Sequence, residues 1–403
     1  MKQNYTFIDL FAGCGGLTEG FYREGYKALL HLEINNVACE TLKTRMRYYG
    51  YSEEEIENAV MCDDITREGL LEDMDQRVSE EVDIIIGGPP CQAFSSVGRA
   101  QDPNSMSEDP RNYLFENYLE VLNHYKPKMF IFENVKGLLT AHPKGVDIFD
   151  LIIRDMSKTY KVVSNKETIL LNAVNYGVPQ NRERVILCGI RNDIDVEPEE
   201  FYKKLIPTHS VVAKEGLKPA VTVREAIADL PKLLPGEGTE IIDFNETKFN
   251  DYLLQIRRKD FGKLYQHVAR KHNENDRERY RILSEHGNWQ LKDLAEVRPD
   301  LVHHDPKHFG NRYTVQEWDK PGRTVVAHLY KDGNLFIHPD SVQERTFTVR
   351  EAARIQSFPD DFFFEGSRTE QFKQVGNAVP PLMAEAFAVT MKEMLSQKEM
   401  QGK

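Results

Sequence analysis

Short apolar runs set the rhythm of the first half of the chain. Residues 5–11, 27–32, 82–87, 128–133 and 183–189 are rich in Ile, Leu, Val and Phe, with few charges between their ends. Runs of this length with no strict alternation read as strands covered on both faces. Between them, residues 17–22, 114–124 and 146–157 space their apolar positions as amphipathic helices do. The alternation predicts an α/β fold, a parallel sheet with helices on both faces. In such doubly wound sheets, ligands sit at the carboxyl ends of the strands. From about 195 to 343 the rhythm degrades. Pro207, Pro219, Pro231, Pro235 and Pro299, many charges and both tryptophans, Trp289 and Trp318, fall there. Order returns at 346–358, where Thr348 and Glu351 have capping-box spacing, and a last helix is expected over 382–395. Three segments are therefore expected: 1–194, an irregular domain at 195–343, and a return at 344–403.

A chain of 403 residues, 40% hydrophobic, can bury a sizeable core in two or three domains. No apolar run reaches the roughly eighteen residues of a membrane span, and the first residues lack the pattern of a secretory signal. Cys14, Cys39, Cys62, Cys91 and Cys188 are widely spaced and odd in number. That favours a reducing, cytoplasmic setting and disfavours a disulfide framework or a zinc site. His303, His304 and His308 have no supporting cysteine or ligand pattern, so no metal is expected. The net charge is −12, but it is uneven. Residues 51–81 hold twelve acids and two bases, whereas 256–281 hold nine bases and four acids. Binding to nucleic acid depends on such local patches more than on the total, although both stretches also read as plain solvated surface.

Five short motifs carry candidate chemistry. Phe7-Ile8-Asp9-Leu10-Phe11-Ala12-Gly13-Cys14-Gly15-Gly16 is a strand running into a glycine turn, with Glu33 twenty residues after Gly13 at the next strand end. That suits a ribose-bearing ligand, and a nicotinamide enzyme competes on this motif alone; however, Thr18 stands where the dinucleotide fingerprint has its third glycine. Gly87-Gly88-Pro89-Pro90-Cys91-Gln92-Ala93-Phe94-Ser95 follows a buried strand and sets a thiol on a stiffened backbone at a strand end, unlike a cysteine that fills a core. Phe132-Glu133-Asn134-Val135 ends another strand with an acid. In Gln180-Asn181-Arg182-Glu183-Arg184 the two arginines alternate, so they could share a face and hold an anion or a carbonyl oxygen, or merely charge a sheet edge. Gln374-Val375-Gly376-Asn377-Ala378-Val379-Pro380-Pro381 leads into the last helix.

Together and in this order, with the segment 345–362, these blocks resemble the DNA (cytosine-5) methyltransferases, of the bacterial modification-methylase type. The resemblance covers nearly the whole chain except roughly 195–340. It implies a class I methyltransferase sheet with an inserted target-recognition domain. It also implies methyl transfer from S-adenosylmethionine to carbon 5 of a cytosine flipped out of duplex DNA. By resemblance, Cys91 is the nucleophile and Glu133 holds or protonates ring nitrogen 3. Arg184 binds the ring carbonyl oxygen, and Arg182 supports the loop that carries Cys91. Phe11, Ala12, Gly13 and Gly15 would surround the methionine part of the cofactor, Glu33 the ribose, and Asp64 and Ile65 the adenine. Pro89, Leu114 and Asn377 would complete that pocket. Residues 96–112, with Gly98, Pro103 and Pro110, would be a lid closing over DNA. Ser95 is a DNA-contact candidate.

For base or phosphate contacts, the basic stretch offers Arg257, Arg258, Arg277, Arg279 and Arg281. The expected setting is a monomer in the bacterial cytoplasm, associated with the nucleoid, beside a separate restriction endonuclease. The tRNA-methylating branch of the family is disfavoured because no cysteine lies beyond Cys188. A non-catalytic relative is disfavoured because Cys91, Glu133 and Arg184 are all present.

Overall fold

The computed structural model describes residues 5–90, 114–142, 145–245, 249–258, 260–287, 289–302 and 312–397. Two compact units emerge. The first gathers 1–173, 183–207 and 381–403, and the second gathers 174–182 and 208–380. Residues 344–380 thus cluster with the irregular part of the chain, and only the segment of the last helix rejoins the first unit.

The first unit is built on an eight-stranded sheet of β1 (Thr6–Leu10), β2 (Lys27–Glu33), β3 (Val60–Cys62), β4 (Ile84–Gly87), β5 (Met129–Val135), β6 (Tyr160–Val162), β7 (Leu170–Asn172) and β8 (Glu183–Arg191). Their order is β3-β2-β1-β4-β5-β8-β6, with β7 also on β8. The strands from β3 to β5 run parallel, as the apolar runs predict. β8 runs antiparallel to β5, and β6 and β7 run antiparallel to β8. The expected doubly wound sheet is therefore present, with an antiparallel edge that the apolar runs did not reveal. An apolar run reports burial on both faces, and burial is indifferent to strand direction.

Two consequences position the site. The order reverses between β1 and β4, which makes their carboxyl ends the crevice of a doubly wound sheet. Because β8 is reversed, its first residues lie beside the last ones of β5, with Arg184 opposite Val135. Arg184 therefore reaches the carboxyl edge of the sheet although it stands at the start of its own strand.

The core beneath is apolar and close-packed. Ile8, Leu10, Leu30, Ile85, Phe130, Phe132 and Leu187 are all buried in one cluster. Gly87 is forced by this packing, since a Cβ there would lie 2.4 Å from the Leu10 carbonyl oxygen. The helix after β1, α1 (Gly16–Arg23), meets the C-terminal helix Pro381–Leu395 at Gly20, where a Cβ would lie 2.3 Å from the backbone of Ala384. That close approach is why the last helix completes the first unit.

The second unit is held by buried arginines more than by a sheet. Arg345 grips both carboxylate oxygens of Glu351 at 2.7 Å, and Glu351 caps the helix Val349–Ile355 through the predicted Thr348 capping box. Arg354 binds Asp360 at 2.7–2.8 Å and also reaches Asp229. Its regular elements include a two-stranded ribbon, Gly238–Asp243 with Lys263–Val268, and the helices Glu274–His286 and Arg368–Asn377.

Candidate active site

At the end of β1 the chain turns through two left-handed residues, Phe11 (φ 58°) and Gly13 (φ 57°), and Gly15 (φ 88°) then caps α1. A non-glycine residue in that region costs roughly 1–3 kcal/mol and tends to persist at functional sites. The Gly13 N–H donates to a Glu33 carboxylate oxygen at 2.8 Å, and the Asn35 N–H donates to the other oxygen at 2.8 Å. Burial raises the Glu33 carboxyl above its ordinary range, against the pull of these backbone donors. Among the described residues, and apart from its chain neighbours, no atom lies within 4 Å of a side chain added at Gly13. The turn therefore presents bare backbone to open space, beside an acid at the next strand end.

Glu33 pairs with Cys62 across β2 and β3, and the Asp63 N–H donates to the Glu33 carbonyl at 3.0 Å. Asp64 and Ile65 follow at once, and Asp64 accepts from the N–H and hydroxyl of Thr66. Phe11 and Leu114, which begins the helix Leu114–Tyr125, are half-buried and pack against the same core. The structure thus gathers Phe11, Ala12, Gly13, Gly15, Glu33, Asp64, Ile65 and Leu114 in the sheet unit. Asn377 belongs to the second unit, exposed at the end of the helix Arg368–Asn377.

A buried polar chain underlies the turn. Thr18 donates its hydroxyl to Asp9 and lies 3.4 Å from His31, which in turn contacts the Tyr22 hydroxyl at 2.8 Å. Burial pushes the Asp9 carboxyl up to about 8, opposed by the Thr18 bond, and drives His31 down to about 3. Thr18, which breaks the dinucleotide glycine pattern, here ties α1 to β1. Its role escaped sequence reading, though a hydroxyl in a position reserved for close helix packing was the available sign.

At the ends of β4 and β5, three segments converge. Arg184 Nε donates to Glu133 Oε1 at 2.9 Å, and both side chains are about nine-tenths buried or slightly less (14% and 13% exposed). They are diagonal neighbours on one face, because Arg184 lies opposite Val135. Burial lowers the basicity of the Arg184 guanidinium, and the Glu133 charge opposes that shift. Gly88 lies directly against the acid, since a Cβ there would come within 2.7 Å of Glu133 Oε2. Asn134 Nδ2 donates to the Pro89 carbonyl at 3.3 Å. This amide clamp was missed in the sequence, although an Asn ending a buried strand needs a partner. Cys91 and Ser95 lie outside the described residues, as does the segment 96–112.

Arg182 does not share the surroundings of Arg184. It is buried within the second unit and donates to the carbonyls of Val325 (2.9 Å) and Ala378 (2.9 Å). The basic stretch also needs correction. Arg257 is buried, with its guanidinium 4.3 Å over the Phe244 ring. Arg279 is buried too and gives Nε and Nη2 to the Leu301 carbonyl at 2.9 and 2.6 Å. Neither guanidinium is available to DNA, because each is enclosed by protein partners. Arg258, Arg277 and Arg281 remain accessible.

The crevice therefore holds a bare glycine turn facing an acid, and beside it an acid–arginine pair pressed against a Gly-Pro-Pro segment. The chain matches the C-5 cytosine-specific DNA methylase family over residues 5–393. It is 35% identical to the type II methyltransferase M.Bpa9945I of Bacillus paralicheniformis, over 96% of this chain and 99% of that one. It is 36% identical to the type II methyltransferase M.DdeI of Desulfomicrobium norvegicum, over 95% of this chain and 87% of that one. Among solved structures, a prophage-encoded DNA modification methyltransferase from E. coli superposes with a TM-score of 0.70 at 22% identity, covering 98% of this chain and all of that one, which supports the fold. Matched along almost its full length, the chain belongs to the family of C-5 cytosine-specific DNA methylases.

Proposed function

We propose that this DNA (cytosine-5) methyltransferase moves the methyl group of S-adenosylmethionine to a cytosine flipped out of a specific duplex sequence, through a covalent bond to Cys91. The observation that carries the reading is the Glu133–Arg184 pair, held against Gly88 three residues before that cysteine.

The residues present fit the cofactor. A bare left-handed turn with open space at Gly13, facing the Glu33 carboxylate, suits a ribose and an amino-acid moiety lying across the strand ends. When bound, S-adenosylmethionine supplies an electrophilic methyl group on a sulfonium. Phe11, Ala12, Gly13 and Gly15 would hold its methionine part, Glu33 the ribose hydroxyls, and Asp64 and Ile65 the adenine. Pro89 and Leu114 would close the pocket on the sheet side.

Carbon 5 of cytosine is a weak nucleophile until carbon 6 is attacked. The Cys91 thiolate adds to carbon 6, and the ring electrons move toward carbon 5 and nitrogen 3. Glu133 holds nitrogen 3, carrying or sharing a proton that offsets the charge developing there. Arg184 donates to the ring carbonyl oxygen while anchoring Glu133. Carbon 5 would take the methyl group as the sulfonium S–CH3 bond breaks and S-adenosylhomocysteine is left behind; a base then removes the carbon 5 proton, and elimination across carbons 5 and 6 returns the thiolate. Stacked DNA hides these atoms, so the base must leave the helix at a cost of a few kcal/mol. Arg182 acts at one remove, binding backbone carbonyls rather than the substrate.

We place the enzyme in a restriction-modification or related modification system, as a monomer in the bacterial cytoplasm near the nucleoid, with any cognate endonuclease a separate chain. No helix among the described residues is long and apolar enough to cross a membrane. The test is Cys91→Ala, assayed for transfer of labelled methyl groups to random-sequence duplex DNA and to tRNA. The wild type should label DNA and not tRNA, and the variant should lose turnover while still binding DNA. Cytosine methylation by the variant would contradict the mechanism.

A further inference from the structure

The accessible arginines of the basic stretch are already neutralised. Arg258 pairs with Asp260 at 2.6 Å and Arg277 with Glu344 at 2.7 Å. Arg281 pairs with Glu278 at 2.9 Å and Glu285 at 2.7 Å. A cation that shares its charge with a carboxylate displaces few counterions when it meets a phosphate, so it adds little to salt-dependent binding.

Other cations of the second unit are not so committed. Lys271, Lys331 and Arg368 are exposed, and among the described residues no carboxylate lies within ion-pair distance of them. They surround one buried group. The Arg270 guanidinium donates to the carbonyls of Leu329 (2.8 Å), Tyr330 (2.9 Å) and Lys331 (3.0 Å) and lies 5.1 Å over the Phe372 ring. Lys373 Nζ stands 5.2 Å over the Tyr330 ring. Segments 270–272, 329–331 and 368–373 are thereby fastened into one surface. Burial lowers Arg270 to about 10; the charge of Arg368 reaches it and adds to that shift, and Asp332 opposes it. The neighbouring acids are engaged elsewhere, Asp332 with Arg312 at 3.3 Å and Glu370 with Lys373 at 2.9 Å. A patch of uncompensated positive charge on a chain of net −12 is unusual enough to need a polyanion.

We propose that Lys271, Lys331 and Arg368 form a phosphate-contact surface for the backbone of duplex DNA; this rests on the proposed function and says where its substrate is held. The surface positions DNA without reading its sequence, because lysine and arginine at a phosphate gain the same energy beside any base pair.

The test compares two triple variants, K271Q/K331Q/R368Q and R258Q/R277Q/R281Q, by fluorescence anisotropy on duplex DNA across a salt titration. Thermal melts confirm that both are folded. Each lost phosphate contact should flatten the plot of log affinity against log salt by about 0.9, so the first variant should lose roughly 2.7 from the slope. At 0.1 M salt that is on the order of 500-fold weaker binding, similar on every sequence. The second variant should keep the wild-type slope. An unchanged slope in the first variant, or an equal loss in the second, overturns the patch. Loss on tRNA with none on duplex DNA also overturns it. A wild-type slope near zero would instead remove the duplex-DNA reading itself, and the patch with it.

Discussion

Replacing Gly88 with Ala probes the crevice with a single methyl group. The new Cβ would lie 2.7 Å from Glu133 Oε2 and 3.2 Å from the Glu133 carbonyl oxygen. Carbon and oxygen ordinarily pack no closer than about 3.2 Å, so something must move by roughly 0.5 Å. The backbone has little room to do so. Gly87 is already against the Leu10 carbonyl, and the Pro89 carbonyl is held by Asn134. The Glu133 carboxylate is the movable end. Turning it away stretches its 2.9 Å bond to Arg184, a charge-assisted contact whose loss costs about 1.5–3 kcal/mol. If that loss falls on the transition state, it lowers the rate by about 10- to 100-fold. We expect kcat for methyl transfer to fall by that factor. Affinity for S-adenosylhomocysteine, measured by calorimetry, should hold, because the Gly13–Glu33 contact lies at other strand ends. A folded G88A enzyme within threefold of wild-type kcat would refute the claim that Gly88 sets the position of Glu133.

Three further outcomes follow from the same geometry. Arg184→Met should lower kcat about 100-fold with little effect on cofactor affinity, and a variant at wild-type rate would show that the arginine serves packing alone. Arg354→Met strands the buried carboxylate of Asp360 and takes one of two arginine partners from Asp229, and should cost about 3–5 kcal/mol in urea unfolding; a loss under 1 kcal/mol would contradict that. The Asp9 carboxyl holds its proton up to about pH 8 in the folded chain, against an ordinary value of 3.8. Its contribution to stability is therefore complete below about pH 4 and is lost as pH rises through 8. Asp9→Asn keeps the neutral shape, so the stability difference between wild type and variant should shift against the wild type from pH 6 to pH 9; parallel curves would place the proton elsewhere.

Much of this site was legible because local chemistry and topology coincide. The runs at 5–11, 27–32, 82–87, 128–133 and 183–189 each overlap a strand of the sheet, and the glycine turn falls at a switch point that any doubly wound order creates. The strands Val60–Cys62, Tyr160–Val162 and Leu170–Asn172 are too short to imprint a period, so they left no mark in the sequence. Direction was equally silent, and the reversal of β8 is what delivers Arg184 to Glu133. Arg182 and Arg184 look alike two residues apart, yet one binds backbone carbonyls within the second unit and the other an acid of the sheet. Arg257 and Arg279 looked like DNA contacts because composition counts charges without their partners. Phe244 and Leu301, which enclose them, are distant in sequence.

The most direct test of the chemistry uses duplex DNA carrying 5-fluorocytosine at the target position, incubated with the enzyme and S-adenosylmethionine. Fluorine cannot leave as a proton does, so the methylated base should stay bonded to the protein. Peptide mapping should find the adduct on Cys91 alone, and Glu133→Gln should slow its formation. An adduct on another residue, or methylation of the normal substrate with no trapped complex on the fluorinated one, would contradict the account.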